Sequence, residues 1–186
     1  MTRDPDFSQI EQQIIVLLGN NLKPASQLDE FDLRILAILQ EDASLSIHEL
    51  AEQVRLSQNA CWRRIKRLDE DGVIRKRVAL LDASKLGVGV TVFVSVKTSE
   101  HSETWLSDFA TAVRGMAEVV ELHRMTGDID YLIKLRVRDI EDYDSVYKRL
   151  IRSVKLSDVS SAFVMEEIKQ TTAVPLRPFR RAAAEI

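Results

Sequence analysis

The chain has 186 residues, of which 45% are hydrophobic and 30% charged, and its formal net charge is −3. This length allows one large domain or two small ones. The acidic balance excludes a protein that coats nucleic acid by bulk positive charge, so any DNA-binding surface must be local. The single cysteine, Cys61, excludes a disulfide framework and favours a reducing cytoplasm. No apolar run approaches the roughly 20 residues that span a bilayer.

Residues 1–27 carry the least information about structure. A few aliphatic residues allow one short amphipathic helix, which Gly19 and Pro24 would end. The segment does not show the pattern of a secretory signal. We therefore expect an N-terminal extension that is partly disordered.

Residues 28–56 predict two short amphipathic helices. Asp29 is a suitable N-cap for the first, which continues to residue 40. The sequence from Ser46 to Glu49 matches a capping box, in which the first and last residues satisfy each other's backbone N–H groups. The apolar face of this second helix ends at Val54. Arg55 follows, at a turn that often carries glycine in helix-turn-helix motifs.

A third helix is predicted to begin after Ser57 and to have one apolar and one polar side. Cys61, Ile65 and Leu68 form its inward stripe, so Cys61 is expected to be a small buried hydrophobic residue. Gly72 is a natural C-terminal stop. Two short helices joined by a tight turn, the second rich in Arg, Asn and Gln, predict a helix-turn-helix that reads the DNA major groove.

The polar side of the third helix carries side chains suited to base contacts. Arginine can pair with a guanine edge, and Asn or Gln with an adenine edge. Trp62 is bulky for such a surface, and either stacks on a sugar or a thymine methyl group or packs inward against the preceding helix. Residues 75–82 are predicted to form a strand whose basic start lies along a phosphate backbone, although any one of these cations could equally be a solvated surface residue. The predicted DNA-binding residues are Ser57, Gln58, Asn59, Trp62, Arg63, Lys66, Arg67, Arg75, Lys76 and Arg77.

The remaining sequence alternates between strand and helix patterns. A short capped turn of helix over residues 82–87 is expected to form the hinge between two domains. The predicted elements that follow are strands over residues 90–97, 119–126, 131–137 and 159–169, a helix over residues 102–116 and a helix capped by Asp139. This last helix should bury Tyr143, Val146, Tyr147, Leu150 and Ile151.

The order β-α-β-β-α-β is that of the split ferredoxin-like fold. The predicted fold class is α+β, with an N-terminal winged helix-turn-helix domain over residues 28–82. A C-terminal ferredoxin-like (RAM/ACT-like) domain over residues 83–175 and a tail over residues 176–186 complete the prediction.

The strand pattern also predicts assembly. Helices cover only one face of such a sheet, so the other face should be polar if it met water. Apolar residues instead fall on both faces: Phe93, Val119, Met125, Leu132 and either Phe163 or Val164. A second copy of the chain is the simplest cover, and a symmetric dimer would place two reading helices about 34 Å apart, one DNA turn.

Five segments of the sequence resemble the leucine-responsive/asparagine-regulator (Lrp/AsnC, feast-famine) family of transcription regulators. They are LDEFDLRILAILQ from Leu28, ELAEQVRLS from Glu49, RRIKRLDEDGVI from Arg63, MTGDIDYLIKLRV from Met125 and FVMEEIKQTTAVPL from Phe163. They occur in the family's order and spacing. The resemblance implies a cytoplasmic, nucleoid-associated regulator that binds double-stranded operator DNA. It also implies a homodimer that assembles further into a tetramer or an octamer.

The same resemblance implies an effector site, at which a free amino acid bound between dimers changes assembly or DNA affinity. The turn from Gly127 to Asp130 matches the family's G-x-x-D element. The implied effector-binding residues are Met125, Thr126, Gly127, Asp128, Asp130, Ala162, Phe163 and Val164. Backbone N–H groups of a turn can hold a carboxylate, while Asp128 or Asp130 can pair with an ammonium group. The alternative role for Asp130 is that of an acceptor that stabilises the turn.

Two other classes of function stay open from the sequence. Relatives of this fold include haem-precursor decarboxylases, so an enzyme is one of them. However, His48, His101 and His123 form no metal-ligand pair, and a Gly-rich phosphate loop and a nucleophile elbow are both lacking. The other class is an architectural protein that coats or bends DNA with little dependence on a ligand. We expect a regulator that is not an enzyme and that needs no metal, no cofactor and no membrane.

Overall fold

The computed structural model describes residues 28–100 and 102–176. The predicted extension over residues 1–27 and all of the predicted tail except Leu176 lie outside the described residues. The chain divides into two compact units: the first reaches Ala79 and resumes at Gln170, and the second spans Leu80–Lys169. The second unit thus ends before the predicted boundary at residue 175, because the chain from Gln170 groups with the helices of the first.

Three helices make up the first unit: α1 (Glu30–Leu39), α2 (Ile47–Val54) and α3 (Gln58–Glu70). Their N-caps are the predicted ones, and each cap side chain accepts a backbone N–H of the first turn. The helices enclose one apolar core of Ile35, Leu50, Ala51, Val54, Cys61, Ile65 and Leu68. Burial raises the pKa of the Cys61 thiol, so this group stays protonated and behaves as the predicted small hydrophobic residue.

Helix α3 stops where the sequence predicts, but the strand predicted after it is wrong. Gly72 has a φ of 71°, and the N–H of Ile74 donates to the carbonyl of Leu68 at 3.0 Å. Residues 75–82 are in neither helix nor strand. A strand needs a neighbouring strand for its backbone hydrogen bonds, and the described part of the chain provides none beside this segment. Residues 82–87 form the predicted single capped turn. Asp82 Oδ1 accepts the N–H of Ser84 at 3.0 Å, the N–H of Leu86 donates to the carbonyl of Asp82 at 3.3 Å, and Gly87 ends the turn with a φ of 74°.

The second unit is a four-stranded antiparallel sheet with two helices. Its elements are β1 (Val90–Lys97), α4 (Glu103–Arg114), β2 (Val119–Arg124), β3 (Tyr131–Val137), α5 (Ile140–Ser153) and β4 (Asp158–Phe163). The strands lie in the order β2-β3-β1-β4, so the predicted ferredoxin-like fold is confirmed. Strand β4 stops well before residue 169, since the N–H of Val164 already bonds to the carbonyl of Thr91 and β1 begins one residue earlier.

One face of the sheet is covered by α4 and α5. Val92, Val94 and Val96 are fully buried there, as their alternation predicts. Trp105 stacks on Phe109 with 5.0 Å between ring centroids. The prediction that Ile151 is buried is wrong, since its side chain is 43% exposed. Leu150 faces the core. Because a helix turns by about 100° per residue, the next residue, Ile151, points away from the core.

The other face of the sheet is mixed in character. Phe93 and Leu132 lie on it half-buried, because each alternates along its strand with buried residues that face α4 and α5. Phe163 and Val119 do not lie on this open face. The ring of Phe163 meets Tyr143 edge-on at 5.0 Å on the helix side, and Val119 packs against the core. In the described parts of the chain, no helix is both long enough and apolar enough to cross a membrane.

Candidate DNA-binding and effector sites

The caps of α2 and α3 and the turn between them fix how the two helices begin. The N–H of Ser46 donates to Glu49 Oε2 at 2.8 Å, and the N–H of Glu49 donates to Ser46 Oγ at 3.2 Å, which completes the capping box. Hydrogen bonds from the Ser46 side chain and backbone lower the pKa of Glu49. Arg55 has φ 58° and ψ 48°, the left-handed conformation. Ser57 Oγ then accepts the N–H of Ala60 at 3.3 Å and starts α3.

The polar side of α3 is open to solvent. All the residues proposed there from the sequence are exposed. Trp62 is 51% exposed, which excludes the alternative that it packs inward. Lys66 Nζ lies 5.4 Å from the centre of the indole ring, a cation–π distance. Gln58 Nε2 lies 3.0 Å from His48 Nδ1 of α2, which links the two helices of the motif.

Arg64 and Arg67 of α3 share a carboxylate of α1 that was missing from the predicted site. Asp32 is fully buried and accepts hydrogen bonds from Arg64 Nη1, at 2.8 Å, and from Arg67 Nη2. Asp29 accepts a second bond from Arg64 Nη1, at 2.7 Å. Bonds to Asp32 and then Asp29 raise the pKa of Arg64 above its ordinary value. The proposed contact of Arg67 with DNA therefore competes with an internal ion pair.

The sequence contains a pattern from which the buried position of Asp32 could have been predicted. Leu28, Asp32, Ile35 and Leu39 recur at helical spacing, so Asp32 falls on the apolar face of α1. A carboxylate on such a face needs a cationic partner, because an unpaired buried charge is very costly. The spacing does not show which cation supplies the partner, and only the packing of α3 on α1 identifies it.

Exposed cations continue beyond α3. Arg75, Lys76 and Arg77 are all exposed in the irregular segment after α3. Arg77 Nη2 lies 3.2 Å from Asp69 Oδ2 in an ion pair at the surface. Such pairs contribute little to stability, so Arg77 can exchange this partner for a phosphate at low cost.

The turn proposed to hold the effector joins β2 to β3. The N–H of Met125 donates to the carbonyl of Asp130 at 2.8 Å, and the N–H of Asp130 donates to the carbonyl of Val96 at 3.0 Å. Gly127 has a φ of 104°, a backbone conformation that residues with a side chain rarely adopt. Asp130 Oδ2 accepts the N–H of Thr98 at 2.8 Å, a bond that ties this turn to the chain just after β1.

The two groups of proposed effector residues lie apart within one chain. The turn over residues 125–130 adjoins Val96, near the end of β1. Phe163 pairs with Val92 and Ala162 with Phe93, near the start of β1. The four residues from Val92 to Val96 correspond to about 13 Å along a strand. A single chain therefore does not bring both groups around one small amino acid.

Two family models match different parts of the chain. The model described as "Winged helix-turn-helix DNA-binding" matches residues 28–75, and the model described as "Lrp/AsnC ligand binding domain" matches residues 91–174. The first match covers the three helices, and the second covers the sheet, the Gly127 turn and the chain after β4. No group of three or more His, Cys, Asp or Glu residues able to hold a metal ion occurs within residues 28–100 and 102–176.

Similar proteins are transcriptional regulators. The chain is 53% identical over 150 residues to the glutamate uptake regulatory protein of Zymomonas mobilis, covering 81% of this chain and 92% of that protein. It is 49% identical over 150 residues to the DNA-binding transcriptional activator DecR of Escherichia coli, covering 80% of this chain and 99% of DecR.

Two crystal structures extend the likeness to the fold. An AsnC family transcriptional regulator from Agrobacterium tumefaciens is 53% identical, with a TM-score of 0.78 and coverage of 80% of this chain and 97% of that one. A transcriptional regulator from Neisseria meningitidis, in complex with L-Met, is 36% identical, with a TM-score of 0.76 and coverage of 80% and 96%.

The fold and the matches define a DNA-binding transcriptional regulator with a helix-turn-helix unit and a ligand-binding unit. The chain belongs to the Lrp/AsnC family. The prediction that it is a regulator rather than an enzyme is confirmed by these relatives, all of which are named as regulators.

Proposed function

We propose that this regulator reads operator DNA with α3 and changes its assembly or DNA affinity when a free amino acid binds to the sheet unit. The observation that supports the DNA-reading role is the exposed side of α3, which begins at a capped turn and carries Trp62, Arg63 and Lys66. Arginine and amide side chains at the start of such a helix reach base edges in the major groove. Trp62, facing solvent, is available for a thymine methyl group or a sugar.

Replacement of Arg63 tests direct reading of the bases. Arg63→Ala should weaken binding to a duplex selected from a random pool by about 1–3 kcal/mol and relax selectivity at one base position. Fluorescence anisotropy with the selected duplex and a scrambled duplex measures both effects. Arg114→Ala, which removes an exposed arginine of α4, is the matched control and should change neither affinity.

Two outcomes would contradict this proposal in different ways. Equal loss of affinity on both duplexes would make Arg63 a phosphate contact. If selection yields no preferred sequence for the unaltered protein, the architectural function is favoured instead.

The effector site is proposed to form between copies of the chain. The Gly127 turn of one copy offers backbone N–H groups and the exposed Asp128 carboxylate, and the end of β4 in another copy supplies residues 162–164. The separation of these groups along β1 supports a shared site, since one chain does not bring them together. The relatives point to amino acids, as one is a glutamate uptake regulator and another was crystallised with L-Met.

A thermal-shift screen of the free amino acids, with glutamate and methionine first, tests the effector site. A ligand at about 100 times its Kd should stabilise the protein by about 2.7 kcal/mol. Asp130→Asn should abolish that shift and leave DNA binding in place, because the amide oxygen can still accept the N–H of Thr98 while the negative charge is lost. Asp108→Asn on α4 is the control. A shift that survives in Asp130→Asn would rule out Asp130 as an effector contact.

We also propose that the protein is a homodimer that assembles further into a tetramer or octamer. Strongly exposed apolar residues lie near both ends of the second unit, including Leu80, Leu81, Met165 and Ile168. A second copy of the chain would cover them.

A further inference from the structure

Three arginines lie close together on α3, and among the residues that the structure describes two of them have carboxylate partners. Arg63, Arg64 and Arg67, with Asp29, Leu56 and Ala60, line one cleft of the first unit. Arg64 and Arg67 bond to Asp32, whereas no hydrogen bond or ion pair to Arg63 is found among residues 28–100 and 102–176. The sequence predicts both Arg63 and Arg67 as DNA contacts, Arg63 with a base and Arg67 with either a base or a phosphate. The structure separates them.

Both oxygens of the Asp32 carboxylate accept hydrogen bonds. Oδ1 accepts Arg64 Nη1 at 2.8 Å, while Oδ2 accepts Arg67 Nη2 and the backbone N–H of Asp29 at 3.1 Å. The carboxylate has no exposed surface, and buried Asp is rare unless it is paired. If Arg67 turned towards a phosphate, the buried carboxylate of Asp32 would keep only one of its two arginine partners. The free energy lost in this way exceeds the free energy gained from one exposed hydrogen bond between Arg67 and a phosphate.

The two ion pairs also fix how α3 is rotated against α1. Arg64 and Arg67 are three residues apart and therefore lie on one side of the helix. Their guanidinium groups reach different oxygens of one buried carboxylate, so rotation of α3 in either direction stretches one of the two bonds. Side chains extend about 5–6 Å from a helix axis, so a rotation of about 20° would displace the reading face by about 2 Å. A displacement of that size breaks a hydrogen bond to a base edge.

We infer that Asp32 is a positioning residue for DNA reading: it holds Arg64 and Arg67 as structural braces, and Arg63 is left to contact the bases. The inference rests on the proposed function, and it removes Arg67 from the set of direct DNA contacts. Asp32 acts through α3 and does not itself touch DNA.

The first test is Asp32→Asn, measured on the full chain with the selected and scrambled duplexes. The ratio of the two affinities should fall by about tenfold, comparable to losing one good base contact. Affinity for the scrambled duplex should stay level or rise, because a negative charge near DNA is removed. If both affinities rise together and the ratio is kept, Asp32 merely competes with DNA for Arg67, and the inference fails.

The second test separates a brace from a phosphate contact by salt dependence. Arg67→Gln should reduce the affinity ratio as Asp32→Asn does, while the slope of log K against log salt on the scrambled duplex stays unchanged. A direct phosphate contact would reduce that slope by about 0.9, and this result would overturn the inference. Arg75→Gln, an exposed cation beyond α3, is the comparison variant and should reduce the slope.

A double variant and a folding control complete the design. Asp32→Asn with Arg67→Gln should lose no more selectivity than the stronger single change, because both remove one brace; additive losses would overturn the inference. Circular dichroism checks that each variant is folded at the assay temperature. If Asp32→Asn does not fold, the half-exposed Arg67 still decides the question by its salt slope. If the unaltered protein fails to distinguish the two duplexes, it is the proposed function that fails.

Discussion

Arg55 is the residue whose backbone is least suited to its side chain. It is the one non-glycine residue with a positive φ in the described parts of the chain. The conformation persists because the N–H of Leu56 donates to the carbonyl of Ala51 at 2.9 Å and closes the end of α2, and because Leu56 packs against the core. The tight turn that aims α3 therefore carries a local strain.

Relief of that strain is measurable. Arg55→Gly should raise the free energy of unfolding of the first unit by about 1 kcal/mol, because a left-handed conformation costs a side chain that amount or somewhat more. Urea unfolding followed by Trp62 fluorescence, in a Trp105→Phe background, reports on the first unit. Arg55→Ala removes the same side chain but keeps a Cβ atom, so it should give no such gain. Equal stabilisation by both variants would show that the side chain, and not the backbone, was the source of the strain.

At the scale of elements, the start of α1 combines a helix cap with an ion pair. Asp29 Oδ1 accepts the N–H of Asp32 at 2.9 Å, and Asp29 Oδ2 accepts Arg64 at 2.7 Å. Desolvation opposes ionisation of Asp29, but the hydrogen bonds from Asp32 and Arg64 outweigh it, so its pKa lies below the ordinary 3.8. A lowered folded-state pKa means that the charged form stabilises the fold. That contribution is complete above the unfolded pKa and is lost as the pH falls through the folded one.

Acid unfolding tests this contribution. Asp29→Asn can still cap α1 but cannot pair with Arg64 as an ion. It should be less stable than the unaltered protein at pH 6, and the difference should close as the pH falls below the ordinary value of 3.8. Thermal melts followed by circular dichroism, at a series of pH values from 6 down to below 3.8, measure the difference in stability between the two proteins. Glu41→Gln is the control. A gap that stays constant with pH would show that Asp29 acts through its cap alone.

At the scale of the whole molecule, the sheet unit exposes apolar residues where the chain enters and leaves it. Met165 is 96% exposed and Ile168 91% exposed in the segment after β4, and Leu80 and Leu81 are exposed before β1. A single exposed aliphatic residue is ordinary. Two such groups, at the two ends of one unit, are the surface that the proposed homodimer would cover.

Replacement of these residues should weaken assembly. Met165→Ser with Ile168→Ser should shift the protein towards monomer in sedimentation velocity, because the interface would lose apolar area. It should also weaken binding to DNA that carries two half-sites. Ile140→Ser, an equally simple change at an exposed position of α5, is the control. An unchanged sedimentation coefficient would show that the dimer uses another surface, while a monomeric unaltered protein would contradict the proposed assembly.

Much of the fold could be read from local patterns. The caps at Asp29, Ser46 and Ser57 and the alternation from Val90 to Val96 depend on neighbours within a few residues, and the structure confirms them. The strand predicted over residues 75–82 was wrong because no strand lies beside it in the described part of the chain. The predicted length of β4 was wrong because this strand ends where its neighbour β1 begins, and β1 is distant in sequence.

The sequence by itself determined the two units, the order of their elements and the polar side of α3, because periodicity and capping are short-range. The tertiary structure alone decided which arginine meets which carboxylate: Asp32 and Arg67 are 35 residues apart and meet only when α1 packs on α3. It also decided that residues 125–130 and 162–164 lie at different places along β1. The first outcome depends on how two helices pack and the second on strand register. In both, the residues that meet are distant in sequence, so the spacing of residues along the chain does not show which of them come together.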